Sequence, residues 1–162
     1  MKVVLVVVIA LVAVVVLLLT VLWAGLRWQI PPVVTAVRQL NKRFTNRRVI
    51  GTAGSADSHT AVIVHVGRKS GREYSTPVDA VPAGDGFLIA LPYGTSADWL
   101  RNVRAAGAAT VGVGGERIAV DRPELVETAE VRALLPRGAR LMLGLFGVRQ
   151  CLRVRRAAPV QG

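Results

Sequence analysis

His59-Thr60-Ala61-Val62-Ile63-Val64-His65-Val66, then Gly67-Arg68-Lys69-Ser70-Gly71-Arg72, then Glu73-Tyr74-Ser75-Thr76-Pro77-Val78-Asp79-Ala80-Val81 is the stretch that decides the fold. A β-branched run meets a glycine-bounded basic turn and is followed by a second extended run, which reads as two strands joined by a hairpin. Pro77 cannot donate a ladder hydrogen bond, so the second strand belongs at a sheet edge or carries a bulge.

The same signals continue downstream. Ala83-Gly84-Asp85-Gly86 reads as a turn and residues 87–92 as a third strand. Residues 98–106 read as a helix, with Thr95 or Ser96 as N-cap and Gly107 as its stop. Residues 109–113 and 116–120 flank Gly114-Gly115, a hairpin signal. Residues 128–145 are helical in parts, with breaks expected at Pro136 and Gly138, and a last strand covers about 150–155. About six mostly antiparallel strands with short helices between them predict a mainly β (α+β) class and a small barrel.

Upstream, residues 3–26 are almost unbroken apolar sequence. At about 1.5 Å per residue such a helix crosses the ~30 Å hydrocarbon core of a bilayer. The run exceeds the ~7–15 residue core of a signal peptide, and no small-residue cleavage site follows it. Trp23 and Trp28 suit an interfacial aromatic belt. Only Lys2 precedes the run, whereas Arg27, Arg38, Lys42, Arg43, Arg47 and Arg48 follow it. That asymmetry predicts a single-pass protein in the cell membrane with its C-terminal domain in the cytoplasm. Pro31-Pro32 ends the helix, residues 33–44 read as a short amphipathic helix, and 46–58 as a linker. The expected organisation is an anchor over 1–28, amphipathic helix and linker over 29–58, the barrel over 59–157 and a tail over 158–162.

The chain has 162 residues and a formal net charge of +11. Without the anchor, roughly 120–135 residues remain, enough for one compact domain. The basic surface favours anionic partners: nucleic acid, anionic lipid or a phosphorylated cofactor. The basic residues lack the aromatic platform of single-strand binders, so no nucleic-acid partner is expected. Cys151 is the single cysteine, excludes an internal disulfide, and reads as an inert packed thiol. His59 and His65 could share a strand face, but without thiols or paired carboxylates nearby no metal site is expected.

Two local patterns carry chemistry. In Gly67-Arg68-Lys69-Ser70-Gly71-Arg72, glycines let the backbone turn its amides inward while Arg68, Lys69 and Ser70 add cationic and hydroxyl donors, a set suited to phosphate. A solvated basic hairpin is the competing reading. In Tyr93-Gly94-Thr95-Ser96-Ala97-Asp98-Trp99-Leu100-Arg101-Asn102, a strand gives way to a helix N-terminus, another anion-favouring place. Trp99 and Asn102 share a helix face; core packing for Trp99 and a plain surface role for Asn102 remain open.

Gly-Arg-Lys-Ser-Gly-Arg (67–72), Ser-Thr-Pro-Val (75–78), Asp-Gly (85–86) and Asp-Trp-Leu-Arg-Asn-Val (98–103), in that order and spacing, resemble the deazaflavin (F420)-dependent nitroreductase family over about residues 59–126 and more loosely to the C-terminus. The resemblance implies a split β-barrel that binds coenzyme F420, often as a homodimer. It implies that Arg68, Lys69, Ser70 and Gly71 hold the phosphate and anionic tail. It implies that Thr76, Pro77 and Val78 line the ring chiefly through backbone, that Tyr93 and Gly94 lie near its reactive edge, and that Trp99 and Asn102 brace the site. Tyr74 stands where such members often carry another basic residue, and Leu141, Met142, Leu143, Leu145 and Phe146 stand in place of a tyrosine-rich wall. The expected activity is hydride transfer from reduced F420 to a lipophilic small-molecule acceptor (a quinone-like compound, enone or nitro compound) beside the lipid held by residues 3–26, with Tyr93 as candidate proton donor. The alternatives are a non-catalytic F420 or anionic-ligand carrier, and an FMN-binding split barrel.

Overall fold

The computed structural model describes residues 1–41, 50–56, 58 and 60–158. The apolar run forms helix α1 (Lys2–Arg27). It is long and apolar enough to cross a membrane. Pro31 and Pro32 do not lie inside a helix; they open α2 (Pro31–Leu40), where a missing N–H costs nothing. The amphipathic helix expected over 33–44 is therefore α2, and Phe44 lies outside the described residues. Parts of the linker expected over 46–58, residues 46–49 and 57, also lie outside them.

The remaining elements are β1 (Ala61–Val66), β2 (Glu73–Val78), β3 (Ala80–Ala83), β4 (Gly86–Ala90), α3 (Asp98–Ala106), β5 (Ala108–Val113), β6 (Glu116–Glu127), α4 (Thr128–Val131), a 3-10 turn (Arg132–Leu134), α5 (Arg137–Leu145) and β7 (Gln150–Arg156). The seven strands form one antiparallel sheet in the order β2-β1-β5-β6-β7-β4-β3. Its two edge strands, β2 and β3, are separated in the chain by Asp79 alone. A sheet whose edges are joined by one residue has to curl until they meet, and the result is a split barrel with its seam at Asp79.

The single strand expected over 73–81 is thus two strands on opposite edges, which is why the sheet has seven strands and not about six. Composition carries no sign of the break, because both halves are extended. The change of partner does: β2 pairs with β1, and β3 pairs with β4. Pro77 lies on an edge strand, as its missing N–H requires.

Alternation sorts the side chains of the sheet. Ile63, Phe87, Ile89, Val111, Val120, Leu152 and Val154 fill the barrel together with Leu100 and Val103 from α3. On the opposite face Leu88, Val126 and Cys151 meet Val131 and Leu135. The Cys151 thiol is buried, its pKa is raised by burial against a lowering contact from Thr128, and it packs as an inert group.

Three local expectations change. Ala97, not Thr95 or Ser96, is the N-cap of α3, and no side chain caps it; the Ser96 hydroxyl instead accepts from Arg38 Nη1 at 2.8 Å. Gly107 ends α3 as expected, in the left-handed conformation with φ 71°. Gly138 does not break α5, which runs through it; Pro136 is the N-cap just before that helix.

Gly86 marks the tightest backbone approach in the sheet: a Cβ there would sit 1.9 Å from the Val154 carbonyl oxygen on β7. Gly86→Ala is therefore expected to destabilise the fold by about 1–3 kcal/mol or more, read as a lower midpoint of thermal unfolding in detergent micelles. An unchanged midpoint would mean that β4 and β7 are not packed as described.

Candidate functional site

The basic turn 67–72 is closed by two backbone hydrogen bonds, Gly67 N–H to Arg72 O and Gly71 N–H to Gly67 O, both 2.8 Å. Gly71 takes φ 65°, which favours glycine. Gly67 has no room for a side chain, since a Cβ would lie 2.5 Å from Ser70 Oγ and 2.6 Å from the Tyr74 ring. Ser70 Oγ shares a 3.1 Å hydrogen bond with Tyr74 Oη and accepts from Arg72 N–H at 3.4 Å. The hydroxyl thus already organises the turn. The N–H groups of Lys69 and Ser70 have no partner among the described residues, and both residues are exposed.

The turn does not project into open solvent. It docks on α3 through Asn102, whose Oδ1 accepts from Arg68 N–H at 3.2 Å and from Arg68 Nη1 at 2.9 Å. Arginine offers only donors, so the amide oxygen faces it and the NH₂ group faces His65. Asn102 Nδ2 then donates to His65 Nδ1 at 3.3 Å, leaving His65 Nε2–H to donate to Thr76 Oγ1 at 3.3 Å. The chain Arg68–Asn102–His65–Thr76 ties the turn, α3 and both strands of the hairpin into one unit. Asn102 is 7% exposed and His65 5%, so the network works in low dielectric, where a satisfied polar group is rigid and an orphaned one is costly.

Arg68 also pairs with Asp98 at 3.4 Å, and Arg101 reaches the same carboxylate at 2.9 Å. Partial desolvation pushes the Asp98 carboxyl up, but the two arginines outweigh it and its pKa falls below the ordinary value. Arg68 is therefore partly neutralised and held in place, while Lys69 stands exposed beside it.

At the other end of β2, Val78 turns its side chain into the barrel core, so what it offers the outside is backbone. Pro77 and Thr76 are half-buried beside it. Next to them a cavity of about 210 Å³ opens between the sheet and α5, lined by Asp79, Val81, Leu88, Ala90, Leu135, Ala139, Met142, Leu143 and Cys151. Tyr93 stands near Asp79 on the loop after β4, and its hydroxyl accepts a hydrogen bond from Asn41 Nδ2 at the end of α2. Burial pushes the Tyr93 pKa up, the Asn41 contact lowers it, and the Asp79 charge raises it further; the net direction is up. Gly94 follows with φ 71°, and Gln29 Nε2 holds the same loop through Pro92 O at 3.2 Å. Trp99 is half-buried against the barrel core, on the same helix as Asn102 but directed into its packing.

The structure thus brings Arg68, Asn102 and Thr76 together through His65, gathers Ser70 with Tyr74, and leaves Tyr93 toward the Asp79 end of β2, with Gly94 next to it in the loop. His65 is the network member that the sequence reading missed. It continues the inward positions of Ala61 and Ile63, so strict alternation marks it as a histidine in a buried place needing partners. His59, its suggested companion, lies outside the described residues.

A family model of the F420H(2)-dependent quinone reductases matches residues 37–161. The chain belongs to this family. The match extends upstream of residue 59, where the resemblance begins, and runs to near the C-terminus; it leaves α1 outside. The F420H2 quinone reductases are oxidoreductases that use reduced F420, the cofactor the motif resemblance implies. Comparison with the curated proteins found no match. Among solved structures, the heme storage protein HutZ from Vibrio cholerae is similar at 14% identity and TM-score 0.47, over 63% of this chain and 84% of that one. A pyridoxamine 5'-phosphate oxidase-related, FMN binding protein from Nostoc punctiforme PCC 73102 is similar at 14% identity and TM-score 0.41, over 75% of this chain and 78% of that one.

Burial holds the His65 imidazole below its ordinary pKa. Its unfolded value is about 6.5, so the unfolded chain takes up a proton first as pH falls. Stability is therefore lost from about pH 6.5 downward, toward the depressed folded value. Urea unfolding at pH 7.5 and pH 5 is expected to show this loss, and His65→Gln to remove its share of it. Equal pH dependence in both proteins would show that His65 is not held neutral.

Proposed function

We propose that this chain is a membrane-anchored F420H2-dependent oxidoreductase that passes hydride to a lipophilic, quinone-like acceptor at the cytoplasmic face of the bilayer. The observation that carries the reading is the layout of β2. This edge strand runs from the cationic turn at one end to the apolar cavity at Asp79 at the other, roughly 20 Å for its six residues. An elongated coenzyme with an anionic tail and an apolar ring suits such a track.

The donor set fits the cofactor. Lys69, Arg68 and the free N–H groups of Lys69 and Ser70 would hold the phosphate and tail, with Gly71 giving the turn its shape. Asn102 would hold Arg68 in place from behind, and Trp99 would fix α3 to the barrel. The outward backbone edge of Thr76, Pro77 and Val78 would line the ring, since Val78 has no side chain to spare for it. When bound, F420H2 supplies the hydride. An acceptor that takes a hydride also needs a proton to leave as a neutral product. Tyr93, kept protonated by its raised pKa and with its oxygen already occupied by Asn41, would hold that proton on the Asp79 side of the site. The apolar lining of the cavity would exclude water from the transfer. The basic residues after α1 support the cytoplasmic orientation.

Two experiments test this. Fluorescence titration of the full-length protein with F420 is expected to give binding that weakens by about 1.5–3 kcal/mol, tenfold or more, in Lys69→Ala. Arg68→Ala is expected to lose affinity and thermal stability together, because it also abandons Asn102. Absence of F420 binding in the wild type would end the proposal, and undiminished affinity in both variants would remove the turn from the site. Separately, Tyr93→Phe is expected to leave F420 affinity unchanged and to lower quinone turnover at least about 100-fold; undiminished turnover would exclude Tyr93 as the proton donor.

A further inference from the structure

Helix α5 is apolar on two opposite sides. Ala139 and Leu143, four residues apart, pack toward Leu88, Val131 and Leu135. Leu141 and Leu145, also four apart, lie about 200° around the helix from that pair, and they are 71% and 45% exposed. Met142 between them is 50% exposed, and Leu134 just before the helix is exposed as well. An apolar face turned outward on a small domain marks an interaction surface.

Two further observations say what covers it. The first is continuity with the anchor. Trp23 Nε1 donates to Leu145 O at 3.2 Å, and Gly147 abuts Arg27 so closely that a Cβ there would lie 2.5 Å from the Arg27 carbonyl oxygen. Trp23 lies about 30 Å along α1 from Val3, the thickness of the hydrocarbon core, where a belt tryptophan belongs. The C-terminal end of α5 is therefore pinned at the depth of the lipid boundary. The second is charge. Between residues 128 and 146, Arg132, Arg137 and Arg140 stand against one acid, Glu130. Arg137 is exposed, one turn before Leu141 on the same side of the helix, placed to reach anionic headgroups while the leucines enter the acyl boundary.

We propose that α5 is a second membrane contact, seated in the interface of the leaflet from which α1 emerges, with Leu141 and Leu145 in lipid and Arg137 among anionic headgroups. This rests on reading α1 as a transmembrane helix. Because Leu135, Ala139, Met142 and Leu143 wall the cavity, that seat also brings the cavity to the lipid surface.

The test uses the full chain in vesicles of phosphatidylglycerol and phosphatidylethanolamine with brominated acyl chains. An environment-sensitive fluorophore is attached at Leu141→Cys or Leu145→Cys, with Leu11→Cys reporting the anchor and Arg117→Cys the β5–β6 hairpin; native Cys151 is buried at 1% exposure. The expected result is blue-shifted emission and bromine quenching at 141, 145 and 11, and neither at 117. Quenching at 11 with water-like, unquenched emission at 141 and 145 overturns the proposal and leaves the anchor standing. Blue-shifted but unquenched emission at 141 and 145 assigns the face to a second copy or another protein and also overturns it. Quenching at 141 and 145 without quenching at 11 removes the anchor and with it the proposal of a second contact beside it; no quenching at any position removes both.

Discussion

Asp79 gives the chain one residue in which to pass from one edge of a seven-stranded sheet to the other. No turn can be fitted into that space, so the sheet itself must bend. Every position of interest follows from the bend. Among the described residues it leaves β2 as an edge paired on one side only, sets the basic turn at one end of that edge, and sets the cavity beside Asp79 at the other. Pro77 is tolerated there because an edge strand loses nothing on its solvent side by lacking an N–H.

The second constraint is local and polar. A turn bearing Arg68, Lys69 and Arg72 would wander if only solvent held it. Asn102 prevents this by receiving two donors from Arg68 and passing a hydrogen bond on to His65. Since Asn102 is on α3 and α3 fills the barrel with Leu100 and Val103, the turn is registered against the core itself. A turn fixed in this way would give up little freedom on taking up an anion, as the proposed binding role requires.

Much of this was legible in the residues. The hairpin around 67–72, the end of α3 at Gly107, the Gly114-Gly115 turn with φ 60° and 83°, and the last strand all follow from turn chemistry and alternation. The division of 73–81 was not, because pairing partners change without any change in local composition. Pro31-Pro32 reads as a breaker after α1, and in the structure the same residues start α2. Gly138 does not break α5 because an exposed glycine with nothing near its missing Cβ can ride in a helix whose inward face is anchored by Ala139 and Leu143. At the candidate site, motif order pointed to Arg68, Asn102 and Thr76, but not to what links them. That link is His65, and it appears only when the two strands are placed in register. The contacts of Tyr93 with Asn41 and of Pro92 with Gln29 join segments more than fifty residues apart, beyond the reach of any local pattern.

The strand order has a bearing on how the protein is made. β7 lies between β6 and β4, although it is the strand synthesised after all the others. Until residues 150–156 leave the ribosome, the β3–β4 hairpin has no neighbour on its inner side and the seam at Asp79 has nothing to hold it shut. Growing chains must therefore carry an incomplete sheet with two open ladders behind a long apolar first helix. Nascent-chain biogenesis, more than the finished barrel, is where this architecture is most exposed to edge-to-edge mispairing.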